Sequence, residues 1–404
     1  MVQFLINSNV SYSYDELLQN VCKDSYVPLL KTHDIFLYFS NLVKALVNDK
    51  PLVLLDSDLN PLELNGIDVT QVNKVEDLKV RNFGTVDKVV AALLQSQSEI
   101  TIFTSGTTGQ PKKVIHTVQT LTRSVRYGER YQGQVWAYAY NPTHMAGLQV
   151  FFQAFINQNI LVNVFNLSRA EIYYLIEQYR ITHISATPTF YRLLSPPERE
   201  YNSVHRITLG GEKSDQHLYD SIHRIFPQAK INNIYASTEA GSLFAAKDDA
   251  FQIPIAIRDK FKVKEDELLI HRSLLGQSES FKFDRDYYHS GDLIEWVDSK
   301  EGIFKFKTRK NELINVGGYK VNPGEVESVL NVIDGVRQSL VFGKANSILG
   351  NVLCAEIQLE EGTDLKELDI RLQLKEKLQD FKIPRRIKFV ESFTLTRTGK
   401  LKRS

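Results

Sequence analysis

The sequence predicts an α/β fold, with a large N-terminal part of mixed sheets packed with helices and a small α+β part at the C-terminal end. Two observations carry this prediction. Helix-like segments alternate with apolar, strand-like segments along the N-terminal part, which favours a partly parallel sheet. The chain also has 404 residues, enough for two or three domains with large buried cores.

The spacing of apolar residues predicts the individual elements. Helices are predicted over residues 34–47, 118–131, 148–155, 170–179, 323–330 and 365–378, and a helix followed by a strand over residues 86–103. Short apolar or β-branched runs predict strands over residues 51–56, 135–140, 182–187, 207–212, 231–235, 339–342, 352–359 and 387–390. We expect Gly343 to end the strand before it, and residues 381–384 to form a linker.

Charge and cysteine content exclude several classes of protein. The 49 basic and 48 acidic residues leave a net charge of +1, so we expect no nucleic-acid and no membrane partner. Cys22 and Cys354 lie far apart and match no disulfide or metal spacing, which suggests a reducing compartment. Residues 1–20 lack the pattern of a signal peptide, and polar residues interrupt the apolar stretch 150–165. We therefore expect a cytoplasmic protein.

The stretch 101–113 is the most informative part of the chain and reads TIFTSGTTGQPKK. It begins like a strand and continues into a loop with four hydroxyl side chains, two glycines and two lysines. Glycines let backbone N–H groups approach a ligand closely, and such groups beside hydroxyls and a lysine suit a polyphosphate. The Walker pattern is absent, because no Gly-Lys-Ser/Thr closes the loop. A polar surface turn after a strand is the alternative.

The string SGTTGQPK at residues 105–112 resembles the phosphate loop of the adenylate-forming superfamily, which contains acyl- and aryl-CoA synthetases, adenylation domains of peptide synthetases and luciferases. In that family the loop holds the β- and γ-phosphates of ATP while a carboxylate attacks the α-phosphate. The resemblance implies that ATP is bound by Thr104, Ser105, Gly106, Thr107, Thr108, Gly109 and Lys112.

Two turns after the loop match further positions of the family. The loop 141–147, NPTHMAG, places His144 where the family has an aromatic residue or a histidine that touches the acid substrate. The segment ITLGGE, which ends at residue 212, places Gly211 in the glycine pair that the family packs against adenine. If the resemblance is set aside, the alternative interpretation is that His144 caps a helix and that Gly211 lies in a tight turn.

The string YASTEAG at residues 235–241 resembles the Tyr-x-x-Thr-Glu signature of the family. Tyr235 offers a flat apolar face for adenine, and Thr238 offers a hydroxyl to the α-phosphate. Glu239 offers an oxygen ligand for Mg²⁺, which binds through one or two carboxylates plus phosphates. A strand followed by a capped helix is the alternative for the local structure.

Two residues of the C-terminal third match the ribose site of the family. Asp292, in the string YYHSGDL, lies where a carboxylate accepts hydrogen bonds from both ribose hydroxyls. Arg309 matches the arginine that also reaches the ribose. The resemblance covers roughly residues 85–404, and its motifs occur in the order of the family.

The last hundred residues resemble the small mobile domain of the family. Asn311 falls at the hinge, so the resemblance implies domains 1–310 and 311–404, of which the second rotates about this point. Gly318 matches the turn that contacts the thiol arm in the second half-reaction. Lys400 matches the lysine of the terminal Gly-Lys motif, which reaches into the adenylation site.

The reaction that the resemblance implies has two steps. A small carboxylic acid and ATP give acyl-AMP and pyrophosphate in the presence of Mg²⁺, and a thiol of CoA or of a carrier protein's phosphopantetheine then displaces AMP. The implied catalytic residues are Lys400, Thr238, Glu239 and His144, with Glu239 as the metal ligand. Amino-acid-activating members have an Asp near the His144 loop, and residues 141–147 contain none. We therefore expect an aryl or medium acyl acid, and CoA as the thiol.

Two alternatives stay open at this point. The first is a stand-alone adenylation enzyme that loads a carrier protein. The second is a nucleotide- and acyl-binding regulator without catalysis. The presence of Glu239, Asp292, Arg309 and Lys400 argues against the regulator.

Overall fold

The computed structural model describes residues 2–60, 67–79, 81–103, 111–197, 199–247, 249–346, 350–396 and 400–402 of the chain. Helices are labelled α1 (Tyr14–Val21), α2 (Ile35–Val47), α3 (Val86–Gln95), α4 (Val118–Thr122), α5 (Met145–Ile156), α6 (Arg169–Gln178), α7 (Pro188–Leu194), α8 (Gln216–Ile225), α9 (Pro323–Leu330) and α10 (Glu367–Lys377). Strands are labelled β1 (Gln3–Asn7), β2 (Val10–Ser13), β3 (Ser25–Tyr26), β4 (Leu29–Lys31), β5 (Leu52–Leu55), β6 (Glu76–Asp77), β7 (Glu99–Phe103), β8 (Lys113–Thr117), β9 (Val135–Tyr138), β10 (Ile160–Asn163), β11 (His183–Ala186), β12 (Arg206–Gly210), β13 (Lys230–Ser237), β14 (Gly241–Lys247), β15 (Ala250–Gln252), β16 (Phe261–Lys264), β17 (Glu267–His271), β18 (Phe283–Asp284), β19 (Tyr287–Asp298), β20 (Ile303–Arg309), β21 (Ile314–Val316), β22 (Tyr319–Val321), β23 (Val336–Asn346), β24 (Gly350–Leu359) and β25 (Arg386–Phe389).

The largest sheet has fourteen strands among the described residues and changes character along its width. Six neighbouring strands, in the order β13, β12, β11, β9, β10 and β1, pair in parallel. On the far side of β13 the ladder continues antiparallel through β14, β15, β20, β19, β17 and β16. The prediction of an α/β fold with mixed sheets is therefore confirmed.

A second sheet, in the order β4, β5, β7 and β8, lies across a helical layer from the first. One hydrophobic core joins both sheets to α1, α2, α3 and α5. At its centre the ring of Phe39 on α2 stacks on Phe151 of α5, with 4.4 Å between ring centroids. The opposite face of the parallel strands is covered by α6, α7 and α8. Apolar residues on both faces are typical of buried parallel strands.

Polar residues fix where the covering helices begin. The Ser168 hydroxyl at the start of α6 accepts a hydrogen bond from the Glu171 N–H, and the Glu171 carboxylate accepts one from the Ser168 N–H at 2.9 Å. Asp34 accepts hydrogen bonds from the first free N–H groups of α2, Phe36 and Leu37, at 2.9 Å each. Each such cap is typically worth about 1 kcal/mol.

The C-terminal residues form a small sheet of their own. Its strands run in the order β22, β21, β24 and β23, and β25 pairs with β24 in parallel. One face packs on α9 and α10 around Val326, Leu330, Ile357 and Ile370, which are fully buried. The large sheet ends with β20 at Arg309, and the small sheet begins with β21 at Ile314. The proposed domain boundary falls within this short connection.

Two expectations about local structure are wrong. The helix predicted over residues 118–131 ends at Thr122, because the Arg126 N–H donates to the Gln153 side chain and Gly128 has a φ of +120°, which is not helical. Gly343 does not end its strand, since β23 continues to Asn346. The glycine is needed for a close approach, because a Cβ at this position would lie 2.7 Å from Cγ2 of Ile314.

Among the described helices, none combines the length and the apolar character that a membrane-spanning helix needs. The cytoplasmic location stays a prediction.

A buried histidine of the parallel sheet makes the stability of the fold sensitive to pH. The ring of His183 on β11 packs against Trp136 of the neighbouring β9, with 4.7 Å between ring centroids. Burial, together with the nearby charges of Arg206 and His205, lowers the pKa of His183 to about 4. The unfolded chain therefore takes up a proton below about pH 6.5 that the folded chain does not, so stability is lost as pH falls from 6.5 toward 4.

We predict that the unfolding free energy of His183→Gln falls by about 2 kcal/mol less between pH 7 and pH 5 than that of the parent protein, because the substituted side chain cannot be protonated. Urea unfolding at both pH values measures this difference. The control is His217→Gln on the exposed face of α8, which should leave the pH dependence as it is. An equal loss in His183→Gln and the parent protein would contradict the assignment.

Candidate functional site

The carboxyl ends of the parallel strands bring most of the predicted site residues to one edge of the large sheet. Because parallel strands run in the same direction, the residues that follow them meet at this edge. His144 follows β9, Gly211 follows β12, and Thr238 and Glu239 follow β13. These residues line one cleft together with Lys112, Tyr235, Asp292, Arg309 and Lys400.

A buried carboxylate connects three strands at the side of this cleft. Asp292 on β19 is 2% exposed and accepts a hydrogen bond on each oxygen. Arg309 Nε, on the neighbouring β20, donates to one oxygen at 2.8 Å, and the Tyr235 hydroxyl at the end of β13 donates to the other. Asp292 raises the pKa of Arg309, and burial with the same carboxylate raises the pKa of the Tyr235 hydroxyl. The three groups therefore form one charged, rigid unit.

The aromatic ring of Tyr235 is held from the side by two other rings. Its centroid lies 5.6 Å from that of Phe244 and 6.1 Å from that of Phe251. The residue is 8% exposed and lines the cleft. The ring that we expect to face adenine is thus fixed by packing as well as by the hydrogen bond to Asp292.

Lys400 reaches the cleft from the C-terminal end of the chain. Its backbone carbonyl accepts a hydrogen bond from the Thr396 N–H at 2.7 Å, and the Lys402 N–H donates to the Thr394 carbonyl at 2.9 Å. The side chain crosses above Gly211, where a Cβ would lie only 3.3 Å from Lys400 Cε. Gly211 has a φ of +84°, a backbone conformation that favours glycine.

The ammonium of Lys400 lies in a site of mixed charge. Burial lowers its pKa, and the carboxylate of Glu212 opposes this effect. Glu212 is itself held by the Thr189 N–H at the start of α7, which donates to its carboxylate at 3.0 Å. The C-terminal end of the chain thus places a cation directly at the carboxyl-end edge of the parallel strands.

His144 lies at the other side of the strand edge and is paired with Asp56. It is the N-cap residue directly before α5, but its side chain makes no capping hydrogen bond there, which disfavours the simple capping role. Its Nε2 lies 3.5 Å from Oδ2 of Asp56, and the Asn141 amide donates to the same oxygen at 2.9 Å. Asp56 is 8% exposed and follows β5 of the second sheet. The carboxyl ends of both sheets therefore meet at His144.

The wall of the cleft between α5 and β14 is formed by small and amide side chains. The Ser242 hydroxyl donates to the Gln149 side chain at 2.9 Å. Gly241 has a φ of +68°, and a Cβ there would lie 2.7 Å from the Gln149 amide nitrogen and 3.6 Å from the Met145 sulfur. Gln149 therefore occupies the space that the missing side chain of Gly241 leaves. The segment after β13 is a hairpin into β14, and the alternative of a capped helix is wrong.

Not every predicted residue can be placed in the cleft. Gly318 is in the turn between β21 and β22 and is not among the residues that line the cleft. Its N–H donates to the Asn315 side chain at 3.0 Å. The predicted phosphate-loop residues Thr104, Ser105, Gly106, Thr107, Thr108 and Gly109 lie outside the described residues. Lys112, three residues after Gly109, lines the cleft.

Sequence reasoning missed three residues that the fold brings to the site. Asp56 and Glu212 are carboxylates that follow β5 and β12, and Gln149 lies one turn into α5. A rule that inspects the first polar residue after every predicted parallel strand would have found Asp56 and Glu212. Gln149 carries no such signal, because its importance depends on the missing side chain of Gly241.

The magnesium ligand prediction fits the donor set of the cleft. Within the described ranges no group of three or more His, Cys, Asp or Glu side chains is arranged to hold a metal ion. A single carboxylate, Glu239, beside the hydroxyl of Thr238 is the set expected when phosphate oxygens supply further ligands of Mg²⁺.

Comparison with known proteins agrees with this geometry. Residues 30–262 match the family model of the AMP-binding enzymes, and residues 325–400 match that of the AMP-binding enzyme C-terminal domain. The 2-succinylbenzoate–CoA ligase of Staphylococcus epidermidis is 26% identical over 379 residues, which cover 85% of this chain and 75% of the relative. The enzyme of the same name from Staphylococcus aureus is 25% identical over 382 residues, or 86% of this chain and 76% of the relative.

Solved structures have the same fold. O-succinylbenzoate coenzyme A synthetase from Bacillus subtilis, in complex with ATP and magnesium, superimposes with a TM-score of 0.72 at 19% identity and covers 99% of this chain and 95% of its own. ATP-bound MatB from Rhodopseudomonas palustris gives a TM-score of 0.72 at 16% identity, with 99% and 94% covered. The match of more than half of the chain to the family model decides the identification: the chain belongs to the AMP-binding enzymes, the adenylate-forming superfamily that its motifs predicted.

Proposed function

We propose that this protein is an ATP-dependent aryl acid–CoA ligase, with a substituted benzoate of the 2-succinylbenzoate type as its acid. The relatives confirm the class of reaction that the sequence predicted, activation of a carboxylic acid by an AMP-forming acid–thiol ligase. The observation that carries the proposal is the position of Lys400. It lies over Gly211 at the edge where the groups expected to bind nucleotide and acid meet.

The nucleotide is assigned to the side of the cleft that contains Asp292. Each oxygen of this carboxylate already accepts one hydrogen bond and retains acceptor capacity for a ribose hydroxyl. Tyr235 offers its fixed ring to adenine, and Gly211 allows a ligand to approach the turn after β12 closely. Lys112 and the loop before it are assigned to the phosphates. These roles follow the family and the placement of the residues around one cleft.

Mg²⁺ is assigned to Glu239 together with the phosphates of ATP. Bound there, it would neutralise charge on the phosphate oxygens. The protein's own residues supply position: Thr238 offers a hydroxyl to the α-phosphate, and Lys400 offers a cation to the carboxylate and the α-phosphate as charge moves to pyrophosphate.

The acid is assigned to the space between His144 and the wall formed by Gln149 and Ser242. His144 is oriented by Asp56, whose carboxylate is already engaged by the Asn141 amide and by the N–H of Asp58 at 3.0 Å. This carboxylate orients His144, and the loop 141–147 itself has no Asp that could hold the ammonium of an α-amino acid. The arrangement favours an acid without an α-amino group.

The acceptor is assigned as CoA on the basis of the named activity of the relatives. A carrier protein is the alternative acceptor, since its phosphopantetheine presents the same thiol arm. A regulator without catalysis is the alternative of another class.

A pyrophosphate-release assay over a panel of aryl and acyl acids separates the enzyme from the regulator, because a regulator stays silent with every acid. Adding CoA, or a carrier protein with a free phosphopantetheine thiol, then identifies the acceptor.

We predict that Glu239→Gln lowers the rate of pyrophosphate exchange by on the order of 10²-fold or more, because it removes the charged oxygen assigned to Mg²⁺. The Mg²⁺ concentration for half-maximal exchange should rise as well. Glu279→Gln, an exposed carboxylate, serves as the control and should behave like the parent protein. Normal exchange and unchanged Mg²⁺ dependence in Glu239→Gln would remove this residue from the site.

We predict that Lys400→Ala lowers acyl-AMP formation by on the order of 10²–10³-fold and still makes thioester from supplied acyl-AMP. The reason is that its charge is needed only while pyrophosphate leaves. Lys388→Ala, an exposed lysine of β25 that does not line the cleft, is the control and should retain adenylation.

Gly318 should have the opposite effect. Because it has a φ of +90°, asparagine is the substitution that best tolerates its backbone. We expect Gly318→Asn to retain pyrophosphate exchange and to slow thioester formation, since it adds a side chain where the thiol arm is assigned. Equal loss of both half-reactions in Lys400→Ala and Gly318→Asn, with both proteins folded, would argue against a mobile domain.

We predict that Gln149→Ala changes which acids are accepted, while the KM for ATP stays within twofold. Removing this side chain opens the wall beside Gly241 on the acid side of the cleft only. The measurement is kcat/KM for a series of benzoates with substituents of increasing size. The exposed Gln132→Ala is the control, and an identical acid profile in Gln149→Ala would place the acid elsewhere.

A further inference from the structure

The turn after β13 is fixed through its backbone by three separate elements. The carbonyls of Thr238, Glu239 and Ala240 are consecutive, and each accepts a hydrogen bond from a different donor. The donors are His116 Nε2 at 2.9 Å, the Gly276 N–H at 2.8 Å and the Arg123 guanidinium. Neither of the two side-chain donors belongs to a motif that predicted the site.

His116 is the most buried of these donors, at 1% exposure. Because a carbonyl oxygen only accepts hydrogen bonds, the Nε2 that faces Thr238 carries the ring proton. Burial lowers the pKa of His116 to about 4, so the ring is neutral under ordinary conditions. Nδ1 lies 3.2 Å from the Thr120 hydroxyl, which keeps the ring in one orientation.

Gly276 holds the same ring from the other side. A Cβ at this position would lie 2.6 Å from His116 Cε1 and 2.7 Å from the Ile115 carbonyl. The segment stays this close because the N–H groups of Ile115 and Gln277 each donate to the other's carbonyl at 2.8 Å. The imidazole is therefore confined between β8 and the segment at 276–277, with its proton directed at the turn.

Arg123 completes the arrangement from the end of α4. Its guanidinium donates to the Ala240 carbonyl and, at 3.1 Å, to the Leu274 carbonyl. It therefore ties the turn to the same segment that contains Gly276. Because α4 ends earlier than predicted, Arg123 lies directly after the helix.

We propose that His116 is a positioning residue for the adenylation step, which with Arg123 and Gly276 fixes the backbone that presents Thr238 and Glu239. The reaction it serves rests on the proposed function. β8 begins at Lys113, immediately after Lys112 of the phosphate-loop string, and contains His116. One strand thus leads from the phosphate loop to the turn that carries the α-phosphate and Mg²⁺ groups. A misplacement of about 1 Å in such a turn costs on the order of 10²-fold in rate.

The first test compares two substitutions of His116. His116→Phe keeps a planar ring without the N–H, and we expect kcat for pyrophosphate exchange to fall about tenfold or more, with the KM for ATP within twofold. His116→Gln places an amide donor near the position of Nε2 and should recover most of the rate. The exposed His217→Phe is the control. Equal rates in the Phe and Gln variants at equal folded fraction, or full activity in His116→Phe, would overturn the proposal.

The second test needs no turnover. Hydrogen–deuterium exchange of a peptide that covers residues 238–243 should be faster in His116→Phe than in the parent protein, and close to the parent in His116→Gln. If the parent is silent with every acid, the proposed function fails, and this measurement still decides the role of His116. Unchanged exchange in His116→Phe overturns that role.

Gly276→Ala provides a variant that keeps the histidine. Its Cβ has to displace the imidazole, so we expect the same fall in kcat and the same faster exchange in the turn. This variant decides the question if His116→Phe does not fold. A folded Gly276→Ala protein with the parent's rate and exchange would contradict the proposal.

Discussion

The common direction of the parallel strands is the constraint on which the site depends. Residues that follow β9, β12 and β13 are separated by long helical crossovers in the sequence, yet they must emerge at one edge of the sheet. The strands of the second sheet follow the same rule. Asp56, which follows β5, lies beside His144, which follows β9. The direction of the strands therefore brings part of the cleft together by itself. Asp292 and Arg309 on the antiparallel strands, and Lys400 near the C-terminal end of the chain, complete the lining.

The motifs predicted the residues of the cleft because each motif is a short string that folds locally. Tyr235, Asp292, Arg309 and Lys400 line one cleft although they come from four separate strings. Their predicted roles still await the experiments above. What the strings could not predict is how they are held. The hydrogen bond from Tyr235 to Asp292 depends on strand pairing across the sheet, which no local pattern encodes.

The errors at the level of single elements have the same cause. The apolar spacing over residues 118–131 is helical, but the helix ends at Thr122. Beyond it, the Arg126 N–H donates to the Gln153 side chain, and Gly128 has a backbone conformation that is not helical. Gly343 has the residue type of a strand end, but its role is to let Ile314 pack against the middle of β23. In both cases a partner distant in the sequence decides the local conformation, and a single sequence does not reveal that partner. His116 escaped notice for this reason too, since its carbonyl partner lies more than a hundred residues away.

The place of β1 in the sheet has a consequence for the order of folding. This strand begins at Gln3, and it pairs on one side with β2 and on the other with β10, where Leu5 is opposite Leu161. On a ribosome the hairpin of β1 and β2 would be made long before its second partner exists. One edge of an apolar strand would then stay open until the chain has grown past β10, and such edges are where unfinished chains associate with each other. The docking of Tyr14, whose hydroxyl donates to the Asn159 carbonyl at 2.8 Å, also becomes possible only at that later stage.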